Sequence, residues 1–246
     1  MTADTSFHLY LLIGQSNMAG RGQVAAIDRE VHPRVLALDS ASHWQPAAEP
    51  IHFDKPIAGV GPGLTFGKIV AQRNPAIRVG LIPCAVGGSP ITTWQPGCTY
   101  YETGSRPYDD ALRRTRLALT HGVLQAILWH QGESDSEPGE AELYEDRLVA
   151  LVAMLRSDLR QPDSPFIVGT LGDFFVSENP AARTVNAALR RIPLRVRRAA
   201  CVEVTGLAHG GDGLHFSAQA ARELGRRYAQ TLLSWERAGV PRSPSP

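Results

Sequence analysis

Residues 11–22 read LLIGQSNMAGRG, an apolar run that breaks into small and polar residues around Ser16, with Gly14 and Gly20 on either side. A serine at such a break commonly caps the helix that follows. It becomes a nucleophile only where a general base can take its proton. The stretch DGLH supplies one, with Asp212 three residues before His215 in a glycine-rich turn. That spacing lets the carboxylate reach imidazole Nδ1 and leaves Nε2 free to face Ser16. The chain order serine, aspartate, histidine is one of the known triad orders. Acyl transfer also needs donors aimed at the developing oxyanion. The candidates are the N–H of Ser16, the N–H of Gly88 in the VGGS turn and the side-chain amide of Gln131.

Other groups compete for a role. His209, Asp212 and His215 in HGGDGLH are of types that bind zinc or manganese. No fourth ligand or H-E-x-x-H helix accompanies them, and a metallohydrolase would leave Ser16 and Gln131 unexplained, so no metal is expected. Glu133 and Asp135 are too close in sequence to flank one glycosidic bond, and ESDSE reads as a solvated loop capping the next helix. Glu133 in HQGESD also lies at a strand end, where it could anchor its own turn. Asp212 is preferred because its spacing to His215 is local. Trp94, Trp129, Tyr100 and Tyr101 could stack on sugar rings or pack in the core. A catalytically inactive carbohydrate-binding protein would use such aromatics, but it has no reason to keep the set Ser16, Asp212 and His215.

Something must bring these residues together. Runs rich in Val, Ile and Leu at 7–13, 34–38, 77–83, 122–129, 166–170 and 199–204 mostly lack strict alternation, as strands covered on both faces do. Between them lie helical patterns at 63–73, 108–122, 139–160, 177–192 and 217–237, the last opening at a capping serine, Ser217. Alternating strands and helices predict a mostly parallel sheet with helices on both faces. Such sheets bind ligands beyond the carboxyl ends of their strands. The polar candidates lie there: GQSNMAG, CAVGGSPITTW, HQGESDSE, LGDFF and HGGDGLHF each follow a strand. The proline- and glycine-rich stretch 39–63 reads as a long irregular loop that could wall a cleft.

Composition narrows the class. A chain of 246 residues can bury a full core and suits one α/β domain, residues 1–237, with a disordered polar tail at 238–246. A net charge of +1 implies no general attraction to nucleic acid or anionic membrane. The basic run RRIPLRVRR at 190–198 has no interleaved aromatics and reads as a solvated helix end. Three scattered cysteines argue against a disulfide framework or a structural zinc site. No membrane span or signal-peptide pattern is visible, so a cytoplasmic protein is expected. The oligomeric state stays open.

The pattern is not the G-x-S-x-G elbow of α/β-hydrolases, because Met18 stands where the second glycine would be. GQSNMAG, GGS, WHQGESD and DGLHF, in this order across about residues 7–235, resemble the SGNH hydrolase superfamily. They are most similar to its sialate O-acetylesterase and acetylxylan esterase branch, carbohydrate esterase family six. The resemblance implies a three-layer α/β/α sandwich around a flavodoxin-like, mostly parallel sheet of five or six strands. It also implies metal-independent, cofactor-free removal of O-acetyl groups from saccharides such as acetylated xylo-oligosaccharides or sialic acid. Position by position, it makes Ser16 the nucleophile, Gly88 and Gln131 oxyanion donors, and Asp212 and His215 the acid and base. Gln131 stands where the wider superfamily has asparagine. This branch also leaves room for Glu133 to assist or replace the aspartate in orienting the base.

Overall fold

The computed structural model describes residues 3–237. Strand β1 (Phe7–Gly14) is buried at all eight positions. Its side chains divide by parity: Leu9, Leu11 and Ile13 enter one core cluster, and Tyr10 and Leu12 the other. A fully buried aliphatic side chain contributes about 1.5–3 kcal/mol, so a strand apolar on both faces is stable only between two helical layers.

The one-turn helix α1 (Ser16–Ala19) follows, then β2 (Val35–Leu38), β3 (Trp44–Pro46), α2 (Pro62–Arg73), β4 (Arg78–Pro83) and α3 (Pro107–Ala118). The second half holds β5 (Val123–His130), α4 (Glu140–Asp158), β6 (Phe166–Gly169), α5 (Asp173–Glu178), α6 (Pro180–Arg195), β7 (Ala199–Val202) and α7 (Ala218–Arg237). Apolar residues of α2 and α7 fill the cluster beneath Tyr10 and Leu12, and those of α3, α4 and α6 fill the opposite one. The architecture is therefore the expected three-layer α/β/α arrangement.

The sheet has seven strands in the order β3-β2-β4-β1-β5-β6-β7, not five or six. All six apolar runs form strands. The seventh, β3, pairs antiparallel with β2 inside the segment expected to be irregular. It is three residues long, ends in a proline and lies at the sheet edge, where proline is tolerated, so it carries no alternating pattern to read. The five strands β4-β1-β5-β6-β7 run in the order 2-1-3-4-5 of a flavodoxin-like sheet, and β2 and β3 extend it. The switch in strand order puts a crevice beyond the carboxyl ends of β1 and β5, where Ser16 and the 130–135 segment emerge.

Two element boundaries differ from expectation. The helical pattern over 177–192 breaks at Asn179, whose side chain caps α6 by accepting from the Ala181 N–H, and the DFF of LGDFF opens the separate α5. Ser217 caps the last helix by accepting from the Ala220 N–H. The basic run forms the end of α6 and its exit, with Arg190, Arg191 and Arg195 paired to acidic neighbours. Among the described residues the three cysteines are free, and no helix is long and apolar enough to cross a membrane. The tail at 238–246 lies outside the described residues.

Candidate active site

Ser16 is placed by an abrupt turn. Gly14 ends β1 with φ of +125°, and a Cβ there would collide with the His130 carbonyl of the neighbouring strand. The chain can approach β5 this closely only without a side chain. The Gln15 N–H then donates to the His130 carbonyl (2.9 Å), and the Gly20 N–H to the Ser16 carbonyl (2.8 Å), closing the turn. Ser16 sits at the first position of α1, 5% exposed.

His215 reaches it from the loop between β7 and α7. His215 Nε2 lies 3.0 Å from Ser16 Oγ, and Nδ1 lies 2.6 Å from Asp212 Oδ2. Facing a carboxylate, Nδ1 carries the proton, which leaves Nε2 as an acceptor for the serine hydroxyl. Asp212 Oδ1 accepts the N–H groups of Leu214 (2.9 Å) and His215 (2.8 Å). Desolvation pushes the Asp212 carboxyl up, but these two N–H donors and the imidazole outweigh it and hold the pKa at about 2. His209, the third residue of the metal alternative, uses Nδ1 to accept the N–H groups of Gly211 and Gly213. Among the described residues no three His, Cys, Asp or Glu side chains converge as a metal site.

Gly88 lies in the turn after β4 with φ of +84°. Its carbonyl accepts the Ser134 hydroxyl (2.9 Å), and the preceding Gly87 N–H donates to Asp54 (2.8 Å). Neither the Gly88 N–H nor the Ser16 N–H donates to an acceptor among the described residues. Gln131 departs from expectation. It is fully buried, and its Nε2 donates to the Ser89 carbonyl (3.2 Å) and to Asp135 Oδ2 (2.5 Å), so both amide hydrogens are engaged. In this arrangement Gln131 is a brace between the 131–135 turn and the Gly88 turn, and it has no hydrogen left for an oxyanion.

The ESDSE segment is not a solvated loop. Glu133, Asp135 and Ser136 are buried in a tight 3-10 turn, and Asp135 also accepts the Ile91 N–H (2.9 Å). Glu133 Oε1 accepts from the Asn17 amide (2.5 Å), while Oε2 is buried without a partner among the described residues. Its burial raises the carboxyl pKa. Its contact is with Asn17, and the carboxylate on the imidazole is that of Asp212.

The expected sugar platforms separate. Trp94 and Trp129 are fully buried core residues, edge-on at 5.2 Å, with their indole N–H groups on Ser89 Oγ and Tyr144 Oη. They cannot stack on a ligand. Tyr100 is also buried, its hydroxyl against Gly88, and only Tyr101 of the four stands in solvent, 85% exposed.

Sequence reasoning missed four residues around this crevice. Gln15 Oε1 accepts the N–H groups of Gly132 (3.4 Å) and Ser134 (3.3 Å). Asn17 bonds to the histidine loop. Arg21 and Asp54 form a buried ion pair (2.7 Å) behind Gly87. Polar residues on both sides of Ser16 in an otherwise buried turn were the available signal for the first two. The Arg21–Asp54 pair has none, since it joins residues 33 apart across an irregular loop.

Known proteins share this chain's sequence pattern and fold. Residues 6–234 match the family described as carbohydrate esterase, sialic acid-specific acetylesterase. A probable carbohydrate esterase of Arabidopsis thaliana is 32% identical over 92% of this chain and 90% of its own. The X-ray structure of that protein superposes with a TM-score of 0.82 at 31% identity, covering 92% of this chain and 98% of that one. The fold is shared with NanS (TM-score 0.78, 18% identity, 97% and 99% covered). It is also shared with a variant of Axe2, an acetylxylan esterase from Geobacillus stearothermophilus (TM-score 0.54, 12% identity, 94% and 96% covered). The chain thus belongs to the carbohydrate esterase family of sialic acid-specific acetylesterases.

Proposed function

We propose that this esterase removes O-acetyl groups from acetylated saccharides, either xylan-derived oligosaccharides or sialic acids, by serine catalysis through a covalent acyl-enzyme and without a metal or cofactor. The observation that carries the reading is the unbroken hydrogen-bond chain from Asp212 through His215 to Ser16. His215 Nε2 takes the Ser16 proton as Oγ attacks the acetyl carbonyl. The oxyanion accepts from the N–H groups of Ser16 and Gly88, the two of the three candidate donors that have no other acceptor among the described residues. His215 returns the proton to the sugar oxygen as it leaves, and water then repeats the sequence to release acetate. Asp212 stays ionised throughout and stabilises the imidazolium that forms in both halves.

The test is acetate release from acetylated xylo-oligosaccharides and from O-acetyl sialic acid, each with wild type and Ser16→Ala, with and without a chelator. Wild type should turn over at least one class, Ser16→Ala should lose more than about 10⁴-fold in kcat, and the chelator should change nothing. Turnover that survives Ser16→Ala, or that the chelator abolishes, overturns the mechanism. The preferred substrate identifies the saccharide.

A further inference from the structure

The segment carrying the base packs into the core through Phe216, which is buried edge-on to His130 and Phe174, but around His215 few hydrogen bonds tie it to the rest of the molecule. Asp212 bonds to the N–H groups of Leu214 and His215, His209 to those of Gly211 and Gly213, the Gly210 N–H to the His215 carbonyl, and the Ser217 N–H to the Ala208 carbonyl. All of these close within the segment. Among the described residues, its hydrogen bonds to other parts of the chain are those of Ser217 to the first turn of α7 and, around the imidazole, those of two neighbours on α1, Ser16 and Asn17.

Asn17 grips the segment on both sides of the imidazole. Its Oδ1 accepts the Phe216 N–H (3.0 Å), and its Nδ2 donates to the Leu214 carbonyl (3.1 Å). The second Nδ2 hydrogen goes to Glu133 Oε1 (2.5 Å). Asn17 is 4% exposed, and these three partners engage both donor hydrogens and its acceptor. Rotating the amide by half a turn would set oxygen against a carboxylate and a carbonyl, and N–H against N–H. One orientation alone satisfies all three partners, and Glu133 selects it from the opposite side.

We propose that Asn17 is a positioning residue that couples the nucleophile to its base by fixing the peptides flanking His215, and that Glu133 acts on the base only through Asn17. This rests on the reading of Ser16 and His215 as nucleophile and base. Because Asn17 follows Ser16 directly, whatever places the serine also places the histidine, although 199 residues separate them. The held contact is the 3.0 Å approach of Nε2 to Oγ, and proton transfer depends steeply on such a distance.

The test measures modification of Ser16 by a fluorophosphonate, together with kcat and KM for 4-nitrophenyl acetate. The variants are Asn17→Ala, His215→Ala, the double variant, Glu133→Gln and Glu133→Leu, each with its Tm. Asn17→Ala should slow modification and lower kcat by about 10–100-fold with KM changed less than about twofold, and the double variant should be no slower than His215→Ala alone. Glu133→Gln keeps an acceptor for Asn17 and should stay within about threefold of wild type, whereas Glu133→Leu should follow Asn17→Ala. A purely structural role would lower Tm and would not merge with His215→Ala in this way.

Wild type left unmodified at Ser16 overturns the nucleophile reading and this proposal with it. A modified wild type with Asn17→Ala within twofold of it, or with multiplicative losses in the double variant, overturns the coupling alone. If Asn17→Ala does not fold, the Glu133 pair decides: equal rates for Gln and Leu overturn the proposal.

Discussion

At Asp212, three donors act on two carboxylate oxygens and hold a half-exposed group ionised down to a pKa of about 2. The folded-state pKa is below the ordinary 3.8, so the stability this group contributes is present above pH 4 and is lost as pH falls through 2. The pH–rate profile should therefore show no limb from Asp212 across the neutral range. Asp212→Asn should lower kcat on the order of 10²–10⁴-fold by disturbing the imidazole tautomer. Glu133→Gln should stay within about threefold of wild type. The reverse ranking would make Glu133 the orienting acid. Gln131 makes a different prediction, because its amide braces buried groups. Gln131→Ala takes the amide from the buried Ser89 carbonyl, at about 1–3 kcal/mol, and leaves Asp135 with the Ile91 N–H alone, so Tm should fall together with kcat. A loss of kcat at unchanged Tm would return Gln131 to the oxyanion.

Among the elements, the 49–61 segment bonds through Gly59 and Val60 to Gly20 and Gly22 just after α1 and carries its own titration. Glu49 is buried, with its carboxylate accepting the N–H groups of Ile51 (3.0 Å) and Gly61 (3.3 Å). Burial pushes its pKa up to about 8, and the two N–H donors only partly offset this. Because the folded-state pKa lies above the unfolded 4.5, the stability this carboxyl allows is complete below pH 4.5 and is lost as pH rises through 8. Glu49→Gln keeps one acceptor and removes the titration. Denaturant melts of wild type minus Glu49→Gln should lose on the order of a few kcal/mol between pH 5 and 8, and a flat difference would show that Glu49 is charged when folded. Further along, Asp54 holds Arg21 and the Gly87 N–H together, so the same segment supports the Gly88 turn from behind.

For the molecule as a whole, the site depends on adjacent parallel strands whose ends bring distant segments together. Ser16 follows β1, Gly88 follows β4, Gln131 and Glu133 follow β5, and His215 arrives after β7. Gly14 lets β1 end directly against β5. Gly14→Ala meets both a carbonyl collision and an unfavourable φ, and it should cost more than about 3 kcal/mol as well as most of the activity. Normal stability for this variant in a chemical melt would show that the strand ends can separate without loss.

The legible parts were local or periodic. Six apolar runs read as strands because burial on both faces leaves a continuous apolar signature, and the three-residue edge strand Trp44–Pro46 leaves none. The Asp212–His215 contact was readable because three residues of a glycine-rich turn suffice to bring carboxylate and imidazole together. The Ser16 turn was readable because a polar break ends an apolar strand. The rest was decided in three dimensions. Trp94 and Trp129 are core because α3 and α4 close over them, Gln131 turns toward Ser89 and Asp135, and Glu133 finds Asn17 across 116 residues. Residue type and spacing specify which groups can do chemistry. Which way a buried amide or carboxylate points depends on partners that only the packed strand ends supply.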